Sequence, residues 1–210
     1  MGTAATMPRA VQAGPAGPAP AGVGAFRQAM SSFATGITVV TVACDDGTMH
    51  GMTVNSFSSV SLDPMLVLVC LNEASRGAGL IERAGAFAVN VLSAGQEDLS
   101  RWFASPFRPA GPAMFDGVPV EPGLTGSPVL AGTAASFDCR LWQSHRAGDH
   151  LIVLGEVAAL VHRPQLDPLI FHAGMYTSLA RELRSGDRAP ERRFGAGPGV
   201  AGRPPHRRVA

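Results

Sequence analysis

Apolar and polar positions along this chain follow the short period of strands more often than the longer period of helices. Ile37 to Cys44 (ITVVTVAC) is rich in β-branched residues, and Asp45-Asp46-Gly47 supplies a turn after it. Met49 to Asn55 returns. Met65 to Leu71 (MLVLVCL) is an unbroken apolar run of strand length, which predicts burial on both faces. Phe87 to Leu92 is another strand. Ser136 to Trp142 alternates Phe137, Cys139 and Leu141 with Asp138 and Arg140, so one face meets solvent. His150 to His162 reads as a long strand and Leu169 to His172 as a short one. Helical spacing is confined to Gly24–Phe33, Ser75–Arg83 and Gln96–Phe103. Residues 104–126 carry five prolines and read as a long excursion. Strands in near-continuous succession with a few short helices predict a mainly β barrel and not a doubly wound sheet.

The two ends lack this pattern. Residues 1–23 are Ala, Gly and Pro with almost no large apolar side chain, too little to offset ordering entropy, so a disordered tail is expected. From Arg181 onward, eight arginines are interleaved with Gly and Pro, which predicts a flexible, solvated tail over 181–210. One domain over 24–180 remains. Net charge is +1, which points to neither nucleic acid nor a membrane surface. No apolar run approaches the roughly 20 residues of a membrane helix, and no secretory layout opens the chain. Cys44, Cys70 and Cys139 are widely spaced and read as small buried hydrophobes of a reducing cytoplasm. All 17 basic residues are arginine, which excludes chemistry that needs a lysine.

The common nucleotide and hydrolase signatures are absent. Gly195-Ala-Gly-Pro-Gly199 follows no strand, and its proline has no amide to offer a pyrophosphate. HExxH, GxSxG and GxxxxGK[ST] do not occur.

Five segments carry candidate chemistry. Gly51 to Ser61 holds five Ser/Thr and one Asn between two apolar strands. Its hydroxyls and amides form a neutral cradle for a phosphate or a polar ring, or else simply a polar strand edge. In a continuous strand Thr53 and Asn55 would share one side. Thr35-Gly36-Ile37-Thr38 marks a helix-to-strand change, where Gly36 permits close backbone approach or caps the helix. In Asn72-Glu-Ala-Ser75-Arg76, Ser75 suits an N-cap and Arg76 the first turn, a favourable place for a phosphate. Gly148-Asp149-His150 is either a hairpin turn or an Asp-tuned imidazole, with His145 across the same hairpin. Tyr176, the only tyrosine, follows His172 and either packs or stacks on a ring.

Taken in order, FATGITVVT (33–41), HGMTVNSFSSVSLDPMLVLVCL (50–71), FAVNVLSAGQEDLSRWFA (87–104), GDHLIVLGEV (148–157) and PLIFHAGMY (168–176) resemble the flavin reductase-like family of the FMN-binding split barrel. The resemblance implies a split β-barrel of Greek-key type with a few short helices, forming a homodimer in the cytoplasm. It implies FMN or FAD reduced by NADH or NADPH, with reduced flavin passed to a flavin-dependent monooxygenase. Carried over by position, Thr35, Gly36, Ile37 and Thr38, with Thr53, Val54, Asn55 and Ser56, would line the isoalloxazine. Ser58, Ser59, Ser75 and Arg76 would hold the phosphate or ribityl region. Gly148, Asp149 and His150 would seat the nicotinamide, with His172 and Tyr176 nearby.

Hydride transfer is carried by the cofactors and requires no acid–base dyad, which suits a chain without one. His150 is the one catalytic candidate, in a positioning role. Two other readings stand beside this one. One gives the barrel pyridoxamine-phosphate-oxidase-like or deazaflavin chemistry, and the other makes it a non-enzymatic flavin carrier.

Overall fold

The structure is a computed structural model that describes residues 22–179. The expected tails therefore lie outside the described residues, apart from Gly22, the N-cap of the first helix, and Val23, which opens it. In chain order the elements are α1 (Val23–Ser31), β1 (Thr35–Gly36), β2 (Thr38–Ala43), β3 (Met49–Val54), β4 (Ser58–Leu62), β5 (Met65–Asn72), α2 (Arg76–Ala84), β6 (Ala86–Val91) and α3 (Glu97–Ala104). A 3-10 turn (Gly111–Phe115) follows, then β7 (Val120–Pro122), β8 (Pro128–Leu130), β9 (Ala135–Ala147), β10 (His150–His162), β11 (Ile170–His172) and β12 (Met175–Thr177).

Seven strands form one antiparallel sheet in the order β3-β2-β6-β9-β10-β5-β4, and β1, β11 and β12 form a small second sheet. This is the mainly β architecture that the periodicity predicts. The five-proline excursion becomes the 3-10 turn and the β7–β8 ribbon.

The strand buried on both faces is not the one its composition suggests. MLVLVCL forms β5, but Val67, Val69 and Leu71 are buried while Leu66, Leu68 and Cys70 are only half-buried. An apolar run reports that both faces are apolar, not that this chain covers both. The doubly covered strands are β2 and β6. One core packs Val40, Val42, Val69, Phe87, Val89 and Val153 against Leu80 and Ile81 of α2. The other packs Val39, Leu92, Phe103, Met114, Phe115 and Leu130 across the opposite face. Asn90, fully buried between them, donates to the Val39 carbonyl and Thr41 Oγ1 and accepts from Leu130 N and Ser136 Oγ. All of its hydrogen-bonding capacity is thus met inside the core.

The first helix starts one residue before the expected one and ends at Ser31. None of its residues is buried. Phe26, Met30 and Phe33, expected as its apolar face, stay 61%, 51% and 69% exposed. Gly36, weighed as a helix cap, instead lies in β1, paired with Ile170.

The ladder between β9 and β10 shifts register at Leu154/Gly155. A Cβ at Gly155 would lie 2.5 Å from Phe87 Cζ and 2.9 Å from Cys139 Cβ, so neither neighbour can give way cheaply. Gly155→Ala is expected to destabilise the fold by about 1–3 kcal/mol through overpacking, read as a lower midpoint in denaturant unfolding.

Candidate functional site

Where β3 ends, the sheet fails to close on itself. Strand β3 runs only to Val54, and β4 begins at Ser58, so the Ser-rich segment is two strands with a break at 55–57 rather than one. Ser56 spans the gap. Its Oγ accepts from Cys70 N and donates to the Cys70 carbonyl, both at 2.9 Å. Ser58 pairs with Leu68, so Ser56 stands where the next rung opposite Cys70 would fall, and a hydroxyl takes over the part of a backbone group.

The break leaves a cleft of about 340 Å³ between the ends of β3 and β5. Thr53, Val54, Asn55, Ser56, Ser75 and His150, six of the residues picked from the sequence, line it together. Met52, Cys70, Leu71 and Asn72 complete the wall and were not among them. Among the described residues no Asp, Glu or Arg lines the cleft. Ser75 is the N-cap of α2 as expected, accepting from Ala78 N at 3.3 Å, so the positive end of that helix lies at the cleft. Its volume falls in the lower part of the range for cofactor sites, about 300–1,000 Å³. A neutral, polar-edged cleft of this size fits a flavin ring.

His150 stands at the start of β10, paired with Asn72 of β5 and Ala147 of β9. Gly148 and Asp149 form the turn before it. Asp149 Oδ1 meets His150 Nδ1 at 2.7 Å, and that bond holds the carboxyl below its usual range. The turn reading of this segment holds. His145 does lie across the hairpin, opposite Ile152.

The other picked residues lie outside the cleft wall. Ile37 is buried, its N–H bonded to the Leu169 carbonyl. Thr38 is buried and donates to the Val54 carbonyl at 2.7 Å, which ties the end of β3 to β2. Thr53 lines the cleft, but its hydroxyl donates to the Ser100 carbonyl on α3 at 2.7 Å. Ser58 and Ser59 are exposed on β4. Thr35 and Gly36 pair with β11, and Thr35 Oγ1 is buried without a hydrogen-bond partner. His172 is exposed at the end of β11. Tyr176 takes its packed alternative. Its hydroxyl meets Ser100 Oγ at 2.9 Å, its ring packs edge-on to Phe171, and Arg101 lies over its face.

Arg76 faces a different hollow. It shares a cavity of about 200 Å³ with His50, Arg108 and Met114. His50 is 7% exposed, and burial first, then the charges of Arg108 and Arg76, push its pKa down to about 4. Neither His50 nor Arg108 was picked from the sequence. No local pattern marks a histidine inside a strand or an arginine among prolines.

The fold agrees with the comparisons. Residues 30–180 match the family model described as "Flavin reductase like domain". The chain belongs to that flavin reductase-like family. Within the family it is 44% identical over 157 residues to the FMN reductase (NADH) SmoA of Agrobacterium fabrum, covering 75% of this chain and 86% of that one. It is 40% identical over 159 residues to the flavin-dependent monooxygenase reductase subunit HsaB of Mycobacterium tuberculosis, covering 75% and 82%. Among solved flavin reductases it resembles BorF, the reductase component of a bacterial two-component tryptophan halogenase, at 41% identity and TM-score 0.70 over 73% of this chain and 96% of that one. It also resembles the Streptomyces globisporus NADH:FAD oxidoreductase SgcE6 in complex with NAD and FAD fragments, at 36% identity and TM-score 0.70, covering 75% and 93%.

The buried imidazole carries a pH consequence. Its folded pKa lies below the unfolded value, so between about pH 6.5 and about 4 the unfolded chain binds the extra proton. Stability should therefore fall as pH drops through that window, by roughly 1–3 kcal/mol. His50→Gln should flatten this limb of the stability–pH profile measured by denaturant unfolding.

Proposed function

We propose that this chain is an NADH:flavin oxidoreductase that reduces FMN or FAD and supplies the reduced flavin to a monooxygenase component. The observation that carries the reading is the cleft between the ends of β3 and β5, opened by the break at 55–57. Backbone-rich polar residues wall it, no carboxylate among the described residues lines it, and His150 stands at its rim. Family membership and the relatives named above support the same reading.

In this reading Val54, Asn55 and Ser56 hold the flavin ring, with Ser75 and the first amides of α2 beside it. The flavin, when bound, supplies an acceptor for the nicotinamide hydride. The protein's work is to hold two flat rings in contact and to place donors where negative charge grows. The start of α2 offers such donors without a titrating group, since its amides and dipole carry fixed partial charge. His150, oriented by Asp149 and by the ladder on both sides, positions the nicotinamide from the rim. Ser56 keeps the gap at one width, because its bonds to Cys70 set the spacing of the two walls.

The chain is further proposed to act as a homodimer in a reducing compartment. The uncovered apolar face of α1, with Leu62 and Met65 exposed beside the half-buried face of β5, supports pairing. All three cysteines are free, which suits reducing conditions. Among the described residues no helix is long and apolar enough to cross a membrane.

The test is steady oxidation of NADH by the full-length chain with FMN or FAD added. Wild type should turn over with at least one flavin, and absence of turnover with either would sink the reading. His150→Ala is expected to raise KM for NADH by about tenfold, the loss of one ring-positioning contact, with a smaller change in KM for flavin. Unchanged KM and kcat would remove His150 from the site.

A further inference from the structure

We propose that Ser100 and Tyr176 are positioning residues for the flavin seat. With the Thr53 hydroxyl they form a hydrogen-bonded brace that runs from β12 through α3 to the cleft wall. The inference rests on the reductase reading and gives Tyr176 a part in it that does not bring its ring to the nicotinamide.

The brace ends on an edge strand. Strand β3 is the last strand on its side of the seven-stranded sheet, so a single ladder, to β2, holds it. Its position depends the more on what packs against its faces. Helix α3 packs on the face that carries Gly51 and Thr53, which alternation places on one side. A Cβ at Gly51 would sit 2.5 Å from Phe103 Cε1, so the helix lies close. Two residues further on, Thr53 Oγ1 donates to the Ser100 carbonyl at 2.7 Å. Thr53 lines the cleft, and β3 ends at the next residue, Val54. This bond therefore fixes the wall just before the break at 55–57, where the flavin ring is held.

Ser100 passes the constraint on. It is fully buried on α3. A helical serine often turns its hydroxyl back to the carbonyl one turn earlier, and a helix bonded in that way tends to bend. Ser100 Oγ instead meets the Tyr176 hydroxyl at 2.9 Å, across 76 positions of the chain. Tyr176 is itself held from several sides. Its strand pairs with β11 at Phe171, and the two rings meet edge-on with centroids 5.4 Å apart. Arg101 Cζ lies 4.8 Å from the centre of its face, and Glu97, one turn back on α3, holds that guanidinium. Neither Ser100 nor Tyr176 is among the residues that line the cleft, so both act on it through Thr53. Loss of the Tyr176 hydroxyl would leave Ser100 Oγ unmet in the interior, which is costly. A bond back to its own helix relieves that cost, bends α3 and draws the Ser100 carbonyl off the Thr53 hydroxyl.

Full-length wild type is compared with Tyr176→Phe, Ser100→Ala, Thr53→Val and the double variant Tyr176→Phe/Thr53→Val. Flavin affinity is read by quenching of FMN and FAD fluorescence without NADH. Steady-state oxidation gives KM for flavin and for NADH, and denaturant unfolding reports the fold. Tyr176→Phe keeps the ring and removes only the hydroxyl. It is expected to weaken flavin binding and raise KM for flavin about fivefold, the scale of one neutral hydrogen bond, with KM for NADH little changed. Ser100→Ala and Thr53→Val should do the same. The double variant should be no worse than the worse of its two singles, because one break already releases the brace. Should Ser100→Ala fail to fold, the Tyr176 and Thr53 variants decide the matter, since neither alters Ser100. A rise confined to KM for NADH would place Tyr176 at the nicotinamide and overturn the proposal. Effects that multiply in the double variant also overturn it. So does a lower unfolding midpoint with flavin affinity unchanged, which is the mark of a purely structural bond. Wild type that binds flavin without oxidising NADH counts against the reductase reading instead, and the flavin titration still decides the brace.

Discussion

The site depends on one hydroxyl. Ser56 Oγ satisfies both backbone groups of Cys70 at a point where the sheet has run out of strand. An ordinary rung there would draw the walls together and fill the cleft with backbone. A side chain in that place keeps the same hydrogen bonds at a wider spacing. The edges of a sheet are otherwise liabilities, open to pairing with any passing strand. Here the gap is held open and its backbone groups are met, so a binding cleft comes at little cost in unsatisfied polar groups.

Electrostatics divides the region beside this gap into two parts. Among the described residues no Asp, Glu or Arg lines the cleft, and it draws on the dipole of α2. The hollow on the far side of the same helix turn is cationic and partly dry. In the proposed reading, the ring that accepts a hydride would sit among preorganised dipoles, and the turn would keep the arginine charges out of its immediate surroundings.

Much of the fold was legible because local pattern and tertiary structure agree. The predicted His150–His162 strand is β10 to the residue, and Ser75 caps α2 as its residue type suggests. The mistakes have a common cause. MLVLVCL and the apolar positions of α1 are as apolar as any core element, yet one chain leaves them partly open, because composition records which faces are apolar and not what covers them. In the site, the polar run at 53–56 and His150 stood out by residue type. Thr38 and Tyr176 stood out too, but their hydroxyls serve the protein itself. His50 and Arg108 gave no local signal, since their meaning lies in a juxtaposition 58 positions apart along the chain.

The uncovered face of α1 has a thermodynamic consequence. Val23, Phe26, Met30 and Phe33 carry large apolar area into water in a single chain. In the proposed homodimer, burial of that area against a second copy would link folding to association, so the free energy of unfolding would become a function of protein concentration rather than a constant of the sequence. Dilution alone would then weaken the first helix, and with it the segment that leads into the β1 edge beside Thr35.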